Sequence, residues 1–128
     1  VGASIEQSIN QDFLDSVRAS FPRYKVYTAL MNQTGTNAPV ATVLENTLGG
    51  TVVWARGSTG NYTATLAGAF TLNKSWCIAN PTDESADAGY YSLRRVDADT
   101  FILSTFDTTV TNVDDFLINT SIEIRVYY

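Results

Sequence analysis

Carboxylates are the side chains of this sequence that could most readily do chemistry, and most of them fall into three short groups. The groups are Asp97 and Asp99, then Asp83, Glu84 and Asp87, and finally Asp107, Asp114 and Asp115. Calcium takes about six to eight oxygen ligands, often from a single loop, so each group is a candidate cation site. None has the Asp-Asp-Gly-Glu spacing of a calcium-binding hand, and aspartate is also a common turn residue. The spacing therefore favours turn chemistry over a metal site.

A pair of carboxylates could also hydrolyse a glycosidic bond. The sequence has 13 acidic residues, so accidental pairs are common. Glu123 is the acidic residue that falls inside an apolar strand pattern, where it alternates with Ile122 and Ile124 and is followed by Arg125. Alternation turns both charged side chains away from the apolar face. We interpret them as a solvent-facing or interface ion pair, and a small carboxylate-dependent hydrolase is the least favoured function.

The sequence has no histidine and one cysteine, Cys77. The absence of histidine removes Ser-His-Asp and Cys-His catalysis and histidine metal sites. A single cysteine allows neither an intramolecular disulfide nor a cysteine-cluster zinc site. Cys77 lies between Trp76 and Ile78 with no basic neighbour, which is typical of a small buried hydrophobic residue rather than a reactive thiol. We therefore expect no enzymatic activity, no cofactor and no bound metal.

The charge balance bears on the choice of partners. Charged residues make up 16% of the 128 residues, against about 25% in an average protein. The formal net charge is −5, and the sequence shows no basic patch. We therefore expect the protein to bind neither nucleic acid nor an anionic membrane. Threonine, serine and asparagine replace the missing charge, and such neutral polar surface suits contact with other protein chains or with sugars.

Exposed aromatic rings would be the part of the protein that stacks on a sugar. Tyr90 and Tyr91 are adjacent, so they cannot share one face of a strand and one of them should point outward. Together with Tyr62 they are the candidate ligand-facing aromatics. The alternative function is accordingly a carbohydrate-binding or receptor-binding tip domain that contacts a cell-surface glycan.

The first 22 residues form a separate segment, an N-terminal amphipathic helix that ends at Pro22. Its apolar stripe, at helical spacing, is Ile5, Ile9, Phe13 and Val17. A helix this short needs a partner for that stripe, either its own β domain or other copies of the chain. With Tyr127 and Tyr128 at the other end of the sequence, the stripe is the predicted assembly interface.

Residues 23–128 carry the period-two pattern of strands, separated by short turn signals. The predicted strands are Tyr24 to Met31, Val40 to Glu45, Thr51 to Arg56, Asn61 to Leu66, Ser75 to Ala79, Tyr90 to Val96, Thr100 to Phe106 and Ser121 to Tyr128, with a weaker element at Gly68 to Lys74. About eight short strands without intervening helices predict an all-β fold, an antiparallel β-sandwich for which a jelly-roll order is one arrangement. The last strand should lie inside a sheet or at a subunit interface, because a strand at a chain end is ordered only when it is paired.

Several segments of the β domain carry a family resemblance. They are Tyr24 to Leu30, Gln33 to Gly49, Val52 to Trp54, Gly60 to Thr63, Ala69 to Thr71 and Ile122 to Val126. Over about residues 24–128 the chain resembles a family of small, uncharacterised β-domain proteins from tailed phages and aquatic bacteria, which look like virion or appendage components. The resemblance brings no catalytic motif, so no functional residue is carried over from it.

The resemblance implies a non-enzymatic structural component of a phage or other virus particle, as a capsid decoration, a fibre or a tail-associated module. Such a protein acts through protein–protein assembly, and its partners are other copies of itself and other virion proteins. We expect a homo-oligomer, for which a trimer is one allowed state. The expected location is the virion, after synthesis in the host cytoplasm.

Overall fold

The computed structural model describes residues 12–14, 16–17, 23–82 and 89–128. Its eight strands are β1 (Tyr24–Asn32), β2 (Val40–Asn46), β3 (Val53–Ser58), β4 (Asn61–Thr65), β5 (Ser75–Asn80), β6 (Tyr90–Arg95), β7 (Thr100–Phe106) and β8 (Thr120–Tyr127). The predicted all-β fold with eight strands is confirmed. Residues 12–14 and 16–17 are helical, and the rest of the helix predicted within residues 1–22 lies outside the described residues.

Among the residues that the structure describes, no helix has the length and apolar character needed to cross a membrane.

The strands form two antiparallel sheets of four. The first sheet has the order β2-β1-β8-β5 and the second the order β3-β4-β7-β6. The consecutive pairs β1–β2, β3–β4 and β6–β7 are antiparallel neighbours within a sheet, and the chain changes sheet between the other consecutive strands. β8 pairs with β1 on one side and with β5 on the other. The prediction that the last strand lies inside a sheet is therefore confirmed.

The core lies between the two sheets and follows the alternation of their strands. In β8, Ile122, Ile124 and Val126 are buried, while the intervening residues are half-buried on the outer face. Two aromatic contacts mark the centre of this core. Phe70 and Phe101 meet edge to face with their ring centroids 4.8 Å apart. Trp54 Nε1 of β3 donates a hydrogen bond of 3.1 Å to the Tyr27 hydroxyl of β1, which ties one sheet to the other.

The sandwich has two ends. At the polar end, β1 finishes and β4 begins; at the lysine end, β1 begins and β8 finishes. The connection from β4 to β5 crosses the lysine end. The weaker element predicted at Gly68 to Lys74 consists of turns and contains no strand, because Gly68 and Asn73 have positive φ angles of 69° and 63° and turn hydrogen bonds replace a ladder.

Candidate functional site

The outer edge of β2 presents several apolar side chains to solvent. Val40, Val43 and Leu44 are exposed there, Leu44 by 63%, and Glu45 is the one charged residue of the strand. We call Val40, Val43 and Leu44 the β2 edge cluster. In the part of the chain that the structure describes, no strand pairs with this edge. Exposed apolar edge strands are pairing sites, because their backbone N–H and C=O groups lack partners on one side.

Register explains why this cluster is exposed. Val43 lies opposite Ala29 and Val40 lies opposite Asn32, so the two valines point to opposite faces of the sheet. Leu44 is the extra residue of a β-bulge, since Val43 pairs with Ala29 and Glu45 pairs with the preceding Thr28. The bulge ends the regular stretch of β2 and leaves the leucine side chain projecting from the edge.

The opposite edge of the first sheet is closed differently. There β5 approaches β6 of the second sheet, and Cys77 Sγ donates to the Leu93 carbonyl oxygen at 3.1 Å. Burial raises the pKa of the Cys77 thiol, which keeps it protonated. Pro81 follows β5 directly and cannot extend its ladder. Of the two edges of the first sheet, β2 is therefore the one that is open to a partner strand.

The residues of the predicted assembly interface are only partly described. Ile5 and Ile9 lie outside the described residues. Phe13 is 66% exposed, and Tyr127 and Tyr128 are also exposed, whereas Val17 is half-buried. Phe13 and the two terminal tyrosines thus present apolar surface to solvent.

The three candidate ligand-facing aromatics lie in different environments. Tyr62 is fully buried in the core, so its ring offers no surface to a ligand and its assignment as a ligand-facing residue is wrong. Tyr91 is half-buried, stacks on Phe116 with centroids 5.3 Å apart, and has a buried hydroxyl. Tyr90 is exposed, as expected of one member of the adjacent pair.

Tyr62 instead belongs to a polar network at the polar end. Its hydroxyl lies 2.7 Å from Asp114 Oδ1 and 2.8 Å from Gln33 Oε1, and its single proton is shared between these acceptors. Asp114 forms an ion pair of 2.7 Å with Arg56 of β3. Gln33 is buried, and its amide nitrogen donates to the carbonyl oxygen of Gly35. The network joins β3 and β4 of the second sheet to the β1–β2 and β7–β8 connections.

These contacts shift two ionisation equilibria. The Arg56 guanidinium is the main reason why the pKa of Asp114 falls to about 2, with the Gly60 amide and the Tyr62 hydroxyl assisting. Burial, followed by the neighbouring Asp114 carboxylate, raises the pKa of the Tyr62 hydroxyl well above its ordinary value. The carboxylate stays charged and the phenol stays neutral at pH 7. Neither group is then a proton donor or acceptor suited to catalysis near neutral pH.

The candidate metal-binding carboxylates that the structure describes are engaged within the protein, in turns or, for Asp114 and Asp115, with Arg56 and the Gly35 amide. Asp107 Oδ1 accepts hydrogen bonds from Thr109 and from the Thr111 amide, which lower the pKa of Asp107. Asp97 accepts from the Asp99 amide, and Asp99 in turn accepts from the Gly68 amide. Within the described ranges no three His, Cys, Asp or Glu side chains gather as a metal site would require. Asp83, Glu84 and Asp87 lie outside those ranges.

The predicted Glu123–Arg125 pair is present on the outer face of the first sheet. Arg125 Nε lies 2.6 Å from Glu123 Oε1, and both side chains are partly exposed. The guanidinium sits between two rings, 4.6 Å from the centroid of Tyr24 and 4.7 Å from that of Trp76. Hydrogen bonds to Tyr127 and Glu123 raise the pKa of Arg125. The pair is a solvent-facing ion pair held by cation–π contacts across three strands.

Comparison with known proteins adds no relative to this description. No protein-family model, no curated protein and no solved structure matches the chain.

Proposed function

We propose that the protein is a non-enzymatic structural component of a virus particle and acts through protein–protein assembly, with copies pairing along β2. The observation that supports this proposal best is the β2 edge cluster, three exposed apolar side chains along an unpaired strand edge with one charge in seven residues. A second strand on this edge would cover part of each side chain, and the apolar area removed from water would stabilise the pair by about 25 cal/mol per Å². Few charges need to be desolvated in the process.

A second copy of the same chain is the partner that fits this edge. A strand that pairs with itself about a two-fold axis is antiparallel, which is the arrangement of every other pair in both sheets. The backbone groups of Val40–Val43, before the bulge, would supply the ladder, and Leu44 would supply an apolar contact beside it.

The sequence resemblance over residues 24–128 supports a particle as the setting of this assembly. The exposed Phe13 and Tyr128 offer further apolar surface through which other virion proteins could bind. Mass spectrometry of purified particles from the source culture should detect the protein at a level of many copies per particle. Its absence from such particles, with the protein present in the cell lysate, would contradict the viral assignment.

Light scattering coupled to size-exclusion chromatography, over a dilution series, tests the assembly itself. We expect an oligomer that dissociates on dilution, and we expect Leu44→Lys to shift the protein to monomer. Leu72→Lys is the matched control, because Leu72 is also 63% exposed but lies in the turn before β5. The control should assemble as the wild type does.

Two outcomes would sink the proposal. A wild-type protein that remains a monomer at high concentration contradicts assembly outright. Equal loss of assembly in Leu44→Lys and Leu72→Lys would show that the added charge, rather than the β2 edge, is responsible. Circular dichroism of both variants confirms that the comparison is made between folded proteins.

A further inference from the structure

A half-open cleft of about 370 Å³ occupies the lysine end of the sandwich. We call it the lysine cleft. Its lining comes from four segments, namely the start of β1, the β2–β3 connection, the β4–β5 connection and the end of β8. Leu48, Leu66 and Val126 form its apolar part. A volume of this size lies within the range of small-molecule sites.

The charge in this cleft is unlike that of the rest of the protein. Lys25 and Lys74 both line it, and they are the only lysines in a chain of net charge −5. Neither lysine takes part in an ion pair between residues that the structure describes. Among the described residues, Asp99 reaches the wall, where its carboxylate accepts a hydrogen bond from the Gly68 amide.

Strand pairing fixes the distance between the two lysines. Lys25 lies opposite Val126 on one side of β8, and Ser75, the neighbour of Lys74, lies opposite the same residue on the other side. The Tyr127 amide donates to the Lys74 carbonyl at 2.8 Å, which holds Lys74 against β8. Two strand spacings separate their backbones, roughly 10 Å. Two flexible ammonium groups can therefore approach one ligand from opposite sides.

Aromatic rings border the same cleft. Tyr127 and Tyr128 line it and are exposed, and Lys25 Nζ lies 5.9 Å from the centroid of the Tyr128 ring. Tyr127 is held by Tyr24, with centroids 5.1 Å apart. The cleft thus combines two cations, the exposed Tyr128 ring and an apolar wall, while the Tyr127 side chain lies on the outer face of the first sheet beside Arg125.

We propose that the lysine cleft binds an anionic saccharide. Lys25 and Lys74 would contact a carboxylate or sulfate group of the sugar, and Tyr128 would contact the apolar face of its ring. A polyanion such as DNA is disfavoured, because the protein as a whole carries a net charge of −5. This proposal is independent of assembly through β2, which lies on a different edge of the sandwich.

Isothermal titration calorimetry with four probes tests the proposal and separates the two sources of negative charge. The probes are a sulfated heparin octasaccharide, a carboxylated oligogalacturonate, neutral maltohexaose and inorganic sulfate. We expect one of the two charged oligosaccharides to bind and maltohexaose to bind far more weakly. The better of the two identifies the anionic group as sulfate or carboxylate.

Substitutions locate the binding. Lys25→Met and Lys74→Met each remove an exposed charge and keep an apolar stem, and we expect each to raise the Kd of the charged saccharide about tenfold. Lys74→Arg should retain binding. Arg94→Met is the matched control, because Arg94 is exposed on the second sheet and the substitution changes the net charge by the same amount.

Three results would overturn the inference. The first is that neither charged oligosaccharide binds to the folded wild-type protein. The second is that Arg94→Met weakens binding as much as Lys74→Met, which would point to overall charge instead of the cleft. The third is that inorganic sulfate competes as effectively as the oligosaccharide, mole for mole, which would make this a simple anion site.

Discussion

The carboxylate of Asp114 collects hydrogen bonds from three parts of the chain. Arg56 donates to both of its oxygens, at 3.2 and 2.7 Å, and the Gly60 amide donates at 3.0 Å. The Tyr62 hydroxyl, 2.7 Å away, comes from inside the core. A buried phenol therefore connects the apolar centre to the charged rim at this end. The fully buried Tyr62 ring is explained by this structural role.

Asp114 should make stability depend on pH in the acid range. Its pKa in the folded protein is about 2, against an ordinary value of about 3.9. Because the folded pKa is the lower one, this stabilisation is complete above pH ~4 and is lost as the pH falls toward ~2. We expect Asp114→Asn to lower the free energy of unfolding by about 1–3 kcal/mol at pH 7 and to reduce its acid dependence.

Urea unfolding at pH 7 and at pH 2.5 measures both effects. Asp97→Asn is the control, since Asp97 is an exposed turn carboxylate that accepts a hydrogen bond from the Asp99 amide. The acid slope should shrink in Asp114→Asn without vanishing, because the pKa of Asp107 is lowered too. An unchanged slope in Asp114→Asn would show that the ion pair with Arg56 does not stabilise the fold.

Among the secondary-structure elements, the strands could be predicted because apolar and polar residues alternate along them, as expected when one face of a strand is buried. The clean alternation of Ile122, Ile124 and Val126 with charged residues located β8 to within one residue at each end. The segment from Gly68 to Lys74 could not be assigned from its sequence pattern, because a short apolar run does not distinguish a strand from consecutive turns. Its positive φ angles at Gly68 and Asn73 end any ladder there.

The candidate sites were less predictable than the strands, because they depend on which strands are neighbours. Nothing in the sequence of β2 states that it lies at an edge, although its single charge is a weak sign of apolar contact. Lys25 and Lys74 line the same cleft only because β1 and β5 flank β8. The burial of Tyr62, by contrast, is indicated by the sequence. Alternation places Tyr62 on the same face of β4 as Ala64, and that face is buried in the core.

Gly60, in the turn between β3 and β4, leaves no room for a side chain. Gly60 has φ +65°, and a Cβ placed there would lie 2.7 Å from the Val113 amide nitrogen and 2.8 Å from the Thr105 carbonyl oxygen. Both are backbone atoms that cannot move independently of the sheet. We expect Gly60→Ala to destabilise the protein by more than the ~1–2 kcal/mol that left-handed backbone strain alone costs.

Gly35→Ala is the matched control for this turn. Gly35 has a similar φ of +58°, but a Cβ there meets no atom within 4 Å. The control therefore carries the backbone strain without the steric clash. Thermal unfolding of the two variants should place Gly60→Ala well below Gly35→Ala. Equal melting temperatures would mean that the polar end can open to accommodate a methyl group.

For the whole molecule, the two proposed binding surfaces differ in their physics. The β2 edge cluster is apolar and carries one acidic neighbour, Glu45, while the lysine cleft is a positive site in a negatively charged protein. Copies that each carry a net charge of −5 repel one another at low ionic strength. A ligand anion in the cleft is attracted by two lysines instead. The same change in salt should therefore act on the two surfaces in opposite directions.

This contrast can be measured on one sample. Raising NaCl from about 0.01 M to about 1 M shortens the Debye length from roughly 30 Å to roughly 3 Å. We expect assembly, followed by light scattering, to strengthen, because the repulsion between copies is screened while apolar burial at Leu44 is retained. Binding of the charged saccharide should weaken over the same range. Dissociation of the oligomer at high salt would indicate an interface built on ion pairs. Saccharide binding that does not change with salt would exclude Lys25 and Lys74 as the basis of that binding.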